Sequence, residues 1–555
     1  MESENNEYNA DRCIACGHSN SYVRLQPYHQ CKMSDGAPCT TCYRIEHLES
    51  KILEARRVLD DLVQQHRELK TERNHIHDPI TSRLSPEVIS TIFQFSLPSV
   101  PDGSQRDVDM PNRKDVASPL ILGAVCRSWR NIAWSTPSLW TFISVCVNDP
   151  DLPNLGDLAC QWLARSGNLP LSIHIFASLD SPEDDWNNED WFLLDRFGPF
   201  VELVNQQSSR WHKVDLSLPS SALSAFCGDL QSHSPLQTLR IHSIHEEWPA
   251  PPGQFSMKHS TPSPYNVYLS QLSFNAVVIE WANVTEVDID SFGINECIEL
   301  LERAPQLRYC RFSGLYIHFG QLVKGTIHHQ LQTLDVENTG PESLSLLCNK
   351  LSLPGLSKFA YTKGGGQLPI KSLESFFNRS SCPLKELKIM GAVFDYVGII
   401  NLLQATPSIS RLDLLPAQLA YDFSSKFFKL LADSSIARNE DGQDSDNFLP
   451  NLQTFRFHVG TGISWIYVPD VFGPLSELDN PCRRPLKAFH INVFKNPEFI
   501  EKDIVSRLLG ILEAGLDLQI GYLSENLDLI QASMKHYGMV NNVEGENNLT
   551  PPYAE

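Results

Sequence analysis

The sequence predicts an α/β protein, with a helical N-terminal region followed by a long run of repeated helix–strand units. Three observations carry this. A heptad pattern of apolar residues fills residues 44–78, short apolar helix-period segments fill 79–147, and a strand-like motif keeps returning between 150 and 536.

The first 43 residues hold five of the 14 cysteines. Cys13 and Cys16 form one Cys-x-x-Cys pair, and Cys39 and Cys42 form a second. Two such knuckles supply four thiolates at the spacing a tetrahedral zinc needs, so the pattern predicts one structural zinc ion. Cys31, His18 and His29 are possible substitutes, and reduced thiols in an unfolded segment are the alternative. A closed four-ligand site would add folding energy and would leave no open position for catalysis.

In residues 44–78, Ile45, Leu48, Ile52, Ala55, Leu59, Leu62, His66 and Leu69 alternate three and four positions apart, with charged residues between. That spacing keeps one apolar seam on a single helix face, and Pro79 ends the helix. The seam packs either on this chain or in a coiled coil with a second copy. Residues 79–147 read as short helices interrupted by a Pro-, Asp- and Ser-rich loop at 98–118.

The returning motif is an apolar residue, two variable positions, then two apolar residues one position apart. It starts at Leu236, Val284, Leu307, Leu331, Leu384 and Ile409, with looser copies at Trp211, Leu356, Leu452 and Leu486. Neighbouring starts are mostly about 23 to 28 residues apart, within the leucine-rich-repeat range. The gaps after Leu236 and Ile409 are nearly doubled. They read as loop insertions (249–264 and 439–447), each with room for a degenerate repeat. Apolar helix-like stretches precede several motifs and are stopped by Pro305 and Pro407. Such a unit cannot bury its apolar side alone, so stacked copies share a core as a solenoid. The last unit is a helix over 504–512 and a strand over 516–520, and 537–555 reads as a disordered tail.

With 45 basic and 66 acidic residues the net charge is −21. A chain this acidic is a poor general binder of nucleic acid, whose phosphates need a basic face, and no nucleic-acid partner is expected. No apolar run is long enough to span a membrane, and the polar first ten residues lack a signal-peptide pattern. The expected location is cytoplasmic or nuclear. No Gly-Lys-Ser/Thr phosphate loop, Gly-x-Ser-x-Gly elbow or His-Glu-x-x-His helix is present, so no catalytic residues and no enzyme activity are expected. Gly364 to Gly366 read as a turn.

Two segments carry a family resemblance. Leu84-Ser-Pro86-Glu87-Val-Ile89 with Ile92 and Phe93 places a proline in a first helical turn, an acid at its positive end and an apolar stripe behind. Ser85 stands where it can cap this helix. The second segment runs from Leu120 through Val125-Cys126-Arg127-Ser-Trp129-Arg130 to Ile132-Ala133, with Pro137-Ser-Leu-Trp140 beyond it. Together they resemble the two halves of an F-box of the large fungal families, in which an F-box split by a loop is followed by irregular leucine-rich repeats. The family's usual proline is Ser85 here. The resemblance implies a three-helix module that docks on a Skp-type adaptor of a cullin ligase complex, with repeats that bind a protein substrate. It implies adaptor contacts from Leu84, Pro86, Glu87, Ile89, Ile92, Phe93, Leu120, Val125, Cys126, Trp129 and Ile132. Ubiquitin transfer would belong to partner subunits. A non-ligase interaction scaffold with a structural zinc site is the alternative.

Strand alternation points the residue between the two apolar positions of each motif away from the core. Stacking would align Asp215, Arg240, Asp288, Arg311, Asp335, Lys388, Asp413, Arg456 and His490 in one row. This row of mixed sign is the expected substrate face, with Arg240, Asp288, Arg311, Asp335, Lys388 and Asp413 as candidate contacts. The alternative is ordinary solvent-facing polarity. The acidic-aromatic run at 183–191 is a further candidate for partner binding, or a solvated loop.

Overall fold

A computed structural model describes residues 39–77, 80–81, 83–97, 118–147, 155–177, 194–229, 235–244, 253–317, 324–417, 423–436, 448–460, 463–495, 498–522 and 527–539. Cys13, Cys16, the loop at 98–117, the acidic-aromatic run and the tail beyond 539 lie outside these residues. Among the described residues no helix is long and apolar enough to cross a membrane. The chain divides into two compact units, one ending at Ser135 and one beginning its described part at Thr136.

Among the described residues the first unit contains four helices: α1 (Thr40–His77), α2 (Pro86–Phe95), α3 (Ser118–Val125) and α4 (Arg127–Trp134). α1 spans the heptad segment and opens four residues before 44, where a polar Thr-Thr-Cys-Tyr stretch carries no apolar period to read. Pro86 occupies the first turn of α2, where its missing N–H costs nothing. Ser85 has the extended backbone of an N-cap, yet its hydroxyl makes no capping bond. It bonds the Glu87 carboxylate instead and, with the Glu87 amide, draws that acid below its usual range. The cap of α4 is Cys126, whose Sγ accepts from the Trp129 amide at 3.4 Å.

The second unit is mixed α/β with a large, mostly parallel sheet. Its strands are β1 (Phe142–Cys146), β2 (Leu171–Phe176), β3 (Trp211–Leu218), β4 (Thr238–Ser243), β5 (Asn266–Ser270), β6 (Glu286–Asp290), β7 (Tyr309–Ser313), β8 (Thr326–Ile327) and β9 (Thr333–Glu337). They continue with β10 (Leu351–Ser352), β11 (Lys358–Thr362), β12 (Glu386–Ala392), β13 (Arg411–Pro416), β14 (Thr454–Val459), β15 (Ala488–Val493), β16 (Asp517–Tyr522) and β17 (Leu527–Asp528). Fifteen of them pair in chain order, and β8 and β10 form a separate parallel pair. Among the described residues only β17 runs antiparallel to its neighbour in the large sheet. Between strands lie α5 (Leu155–Arg165), α6 (Leu194–Gln206), α7 (Ile294–Arg303), α8 (Pro341–Lys350), α9 (Ile370–Ser380), α10 (Tyr396–Gln404), α11 (Phe423–Asp433) and α12 (Lys502–Glu513), and α13 (Leu529–His536) follows β17.

Parallel sheets covered on both faces read as continuous apolar runs. These strands alternate instead, with Leu239 and Ile241, or Cys310 and Phe312, buried and their neighbours partly open. One face is therefore covered and the other is left polar. All ten motif copies fall on strands. The sequence pattern misses β1, β2 and β5, and the two-residue strands β8, β10 and β17. β5 fills the doubled gap after Leu236, whereas the gap after Ile409 holds no extra sheet strand, since β13 pairs directly with β14. The segment expected to be a loop at 249–264 also supplies a core residue, Phe255, which is fully buried.

A second repeat is written in the backbone. The residue that follows the outward positions of β5, β6, β7, β9, β11 and β12 has positive φ each time: Gln271, Ser291, Gly314, Asn338, Lys363 and Gly391. In the first five, its amide donates to the carbonyl of the next strand's last outward residue, as from Ser291 to Ser313 at 2.9 Å. The turn thus extends the sheet's hydrogen bonding while bending the chain away from the strand.

Candidate functional site

Two surfaces carry the residues singled out by the sequence, one in each unit. In the first, Ile89 and Phe93 lie one turn apart on α2 and are each 1 % exposed. Phe93 meets Trp129 of α4 with ring centroids 4.9 Å apart. Arg130 Nε donates to the Gly123 carbonyl at 2.8 Å, which ties α4 to the last turn of α3. Its guanidinium also lies 5.7 Å from the Trp134 ring centre. These contacts fix the helices and leave the other apolar side chains outside.

Leu84, Pro86, Glu87, Ile92, Leu120 and Val125 are exposed, whereas Cys126, Trp129 and Ile132 are half-buried. The structure therefore sorts the expected contact set. Ile89 and Phe93 belong to the interior and hold α2 in place, and the exposed members form the accessible surface. Sequence reasoning missed three residues on it: Phe95 (87 % exposed), Ile121 and Trp134. Phe95 follows Phe93 by two positions, a helical spacing that puts it on the opposite side from the buried stripe. That was the available signal.

Cys39 stands just before α1 and Cys42 in its first turn, both half-buried. The Tyr43 amide donates to the Cys39 carbonyl at 3.0 Å, so one helical turn separates the two cysteines. Their proposed zinc partners, Cys13 and Cys16, are outside the described residues. Among the described residues no group of three or more His, Cys, Asp or Glu could hold a metal ion.

In the second unit the pairing register brings the expected row together. Across consecutive strands, Asp215, Arg240, Tyr268, Asp288, Arg311, Asp335, Ala360, Lys388, Asp413, Arg456 and His490 are direct neighbours. Ser144 and His174 extend the row on β1 and β2. Signs alternate wherever two charged residues adjoin. A parallel in-register sheet sets neighbouring strands about 4.8 Å apart, so like charges at one position would repel.

Several charges already have partners within the sheet. Arg240 lies 3.8 Å from Asp215 and stacks over Tyr268 at 4.7 Å. Arg311 binds the Glu337 carboxylate and stands 3.9 Å from Asp288. Lys363 reaches Glu337 at 2.8 Å, and Tyr309 donates to Asp335 at 3.0 Å. His458 approaches Asp413 at 3.0 Å. Crowding governs the ionisation of the row. Burial raises the Asp215 carboxyl to about 6, although Arg240 pulls it down. Burial and Arg240 together lower His174 to about 4, so it is neutral at physiological pH. Burial also raises Asp335 against the pull of Tyr309 and Arg311. It pushes Glu337 upward as well, but the Arg311 and Lys363 bonds outweigh it and leave that acid lowered. Cys310 faces the core, where burial drives its thiol far above the usual range.

The row is thus mostly charged, with uncharged positions at Tyr268 and Ala360 between charged neighbours. Ala360 places only a methyl between Asp335 and Lys388.

No family model matches the chain, and no curated protein matches it. Among solved structures it is similar to the crystal structure of a Bacteroides fragilis protein, at 12% identity. The match covers 48% of this chain and 69% of that one with a TM-score of 0.25, and a likeness that loose carries no argument.

Proposed function

We propose that this chain is the substrate-recognition subunit of an SCF-type ubiquitin ligase. Helices α2, α3 and α4 dock on a Skp-type adaptor, and the sheet is an irregular leucine-rich-repeat-like solenoid whose polar face binds a protein substrate. The observation that carries the reading is the surface of the helical unit. Val88, Ile92, Phe95, Ile121, Val125 and Trp134 are all large, apolar and exposed within three short helices. A patch of that density on so small a module favours coverage by a partner. The order of the F-box-like segments and the repeats agrees with it.

The solenoid reading is supported by chain-order strand pairing, one-sided burial and the recurring turn. A substrate would compete for charges that are already paired, so the face would select by pattern more than by net attraction. The gap at Ala360 would accept a side chain between an acid and a base. Ala360→Trp should fill it and reduce capture of a ligase substrate at least tenfold, with adaptor binding unchanged.

Titration calorimetry with a purified Skp-type adaptor and the full chain tests docking. Ile121→Asp with Val125→Asp should weaken binding by about a hundredfold or more, as loss of central apolar contacts does. Circular dichroism should be unchanged, since both side chains are exposed. A wild-type chain that fails to bind the adaptor would refute the ligase reading. The second reading, a non-ligase scaffold with structural zinc, draws on Cys39 and Cys42 at the start of α1. It predicts one zinc per full chain by mass spectrometry, lost in Cys39→Ser with Cys42→Ser.

A further inference from the structure

The heptad helix α1 presents its whole seam to solvent, from Ile45 at 38 % exposed to Ile76 at 66 %. With 38 residues it is about 57 Å long. A strict seven-residue repeat drifts around a straight helix, and it stays in contact only with a helix that supercoils against it. The sequence at the seam's flanks identifies what that helix is.

In a heptad register with Ile45 at position a, His66 and Arg73 also fall at a. Two parallel copies would place His66 against His66 and Arg73 against Arg73 inside the seam. The flanking positions would also set Lys51 beside the partner's Arg56. Like charges would meet at two levels, Arg73 with Arg73 and Lys51 with Arg56, and two bulky polar rings would share the seam at His66.

Reversing one copy removes each conflict. With Leu59 opposite the partner's Leu62, the antiparallel register places Ile52 on the partner's Leu69 and Ile45 on the partner's Ile76. His66 then meets the partner's Ala55, a large residue against a small one. Arg73 meets the partner's Leu48 near a helix end, where its head reaches water. The flanking pairs become Glu49 with the partner's Lys70 and Lys51 with the partner's Glu72, each of opposite sign and each occurring twice by symmetry.

We infer that α1 is a self-association element: two copies of this chain form an antiparallel coiled coil through α1, centred between Leu59 and Leu62. The inference does not depend on the ligase reading. It would give two helical units and two sheets in one assembly, whatever they bind.

Sedimentation equilibrium on the full chain tests it, with the orientation read by charge exchange. The wild type should be a dimer at micromolar concentration, and Leu59→Asp should make it a monomer. Glu49→Lys alone turns two attractions into repulsions and should weaken the dimer about tenfold at low salt, as should Lys70→Glu alone. The double exchange Glu49→Lys with Lys70→Glu restores both pairs and should return the affinity to within about twofold. In a parallel pair Glu49 would instead face the partner's Arg44, and Lys70 the partner's Gln65, so the double exchange would not recover. Lys70 is exposed and Glu49 half-buried, and an unchanged helical signal confirms that folding is intact. A monomer at tens of micromolar, a dimer indifferent to Leu59→Asp, or failure of the double exchange to recover would each overturn the inference.

Discussion

Arg484 shows what a single buried cation does in this molecule. It is 3 % exposed, and among the described residues it pairs with no carboxylate. Its guanidinium donates instead to the carbonyls of Leu431, Ser434, Phe448 and Leu449 and to the Ser434 hydroxyl, at 2.7 to 3.2 Å, within the range of good bonds. Burial lowers it to about 10, so it stays charged at neutral pH. It thereby joins the end of α11 to the segment entering β14. Arg484→Met should cost about 3–5 kcal/mol in denaturant melts, because four carbonyls lose their donor in the interior. Arg484→Lys should recover little of this, since an ammonium lacks the planar fork. Nothing in the sequence marks this arginine, because its partners are backbone atoms that only the fold assembles. Asp215 is the opposite case, since the motif placed it on the polar face but not its ionisation. It keeps 31 % of its side-chain surface, yet the crowded row raises its carboxyl from 3.8 to about 6. A raised acid means folding favours the neutral form. That contribution is complete below 3.8 and is lost as pH rises through about 6. Asp215→Asn should therefore match the wild type in melting temperature near pH 3.5. It should exceed the wild type above pH 7, on the order of 1–2 kcal/mol after solvent screening. Equal melting temperatures at both pH values would count against the raised carboxyl.

At the scale of elements, the ten motif strands were legible because the apolar–polar alternation recurs at near-constant spacing. The helices were legible where a proline followed, as with Pro305 and Pro407 after α7 and α10. β5 was hidden because Asn266-Val-Tyr-Leu-Ser270 follows a Pro- and Ser-rich stretch and lacks the leading apolar residue of the motif. The recurring left-handed turn was hidden for a different reason. Glycine marks such a turn in sequence, but Gln271, Ser291, Asn338 and Lys363 occupy most copies, and only Gly314 and Gly391 carry the signal. At Gly314, φ is +60° and the amide bonds the Glu337 carbonyl at 3.0 Å. A β-branched side chain is most strained there. Gly314→Val should lower stability by about 2 kcal/mol, whereas Gly314→Asn should cost a few tenths, as read from equilibrium melts. Equal losses for the two would show that space, rather than backbone conformation, sets the limit.

For the molecule as a whole, the decisive property is that each strand of the large sheet pairs only with its predecessor and successor. Cooperativity between distant strands must then pass through every strand between them. The C-terminal half concentrates its core in stacked phenylalanines, where Phe455 lies 5.7 Å from Phe427 and 5.1 Å from Phe489 between ring centres. Phe455→Ala removes the centre of that cluster and should cost about 3–5 kcal/mol locally. In a compact single core the loss would be felt in every amide, because opening would be global. Here the amides of β13 to β16 should exchange faster by two to three orders of magnitude, while those of β2 to β6 keep wild-type protection. Hydrogen exchange read by mass spectrometry resolves the two regions. Uniform acceleration from β2 to β16 would mean that the sheet opens as one body, and the nearest-neighbour account of its stability would have to be abandoned.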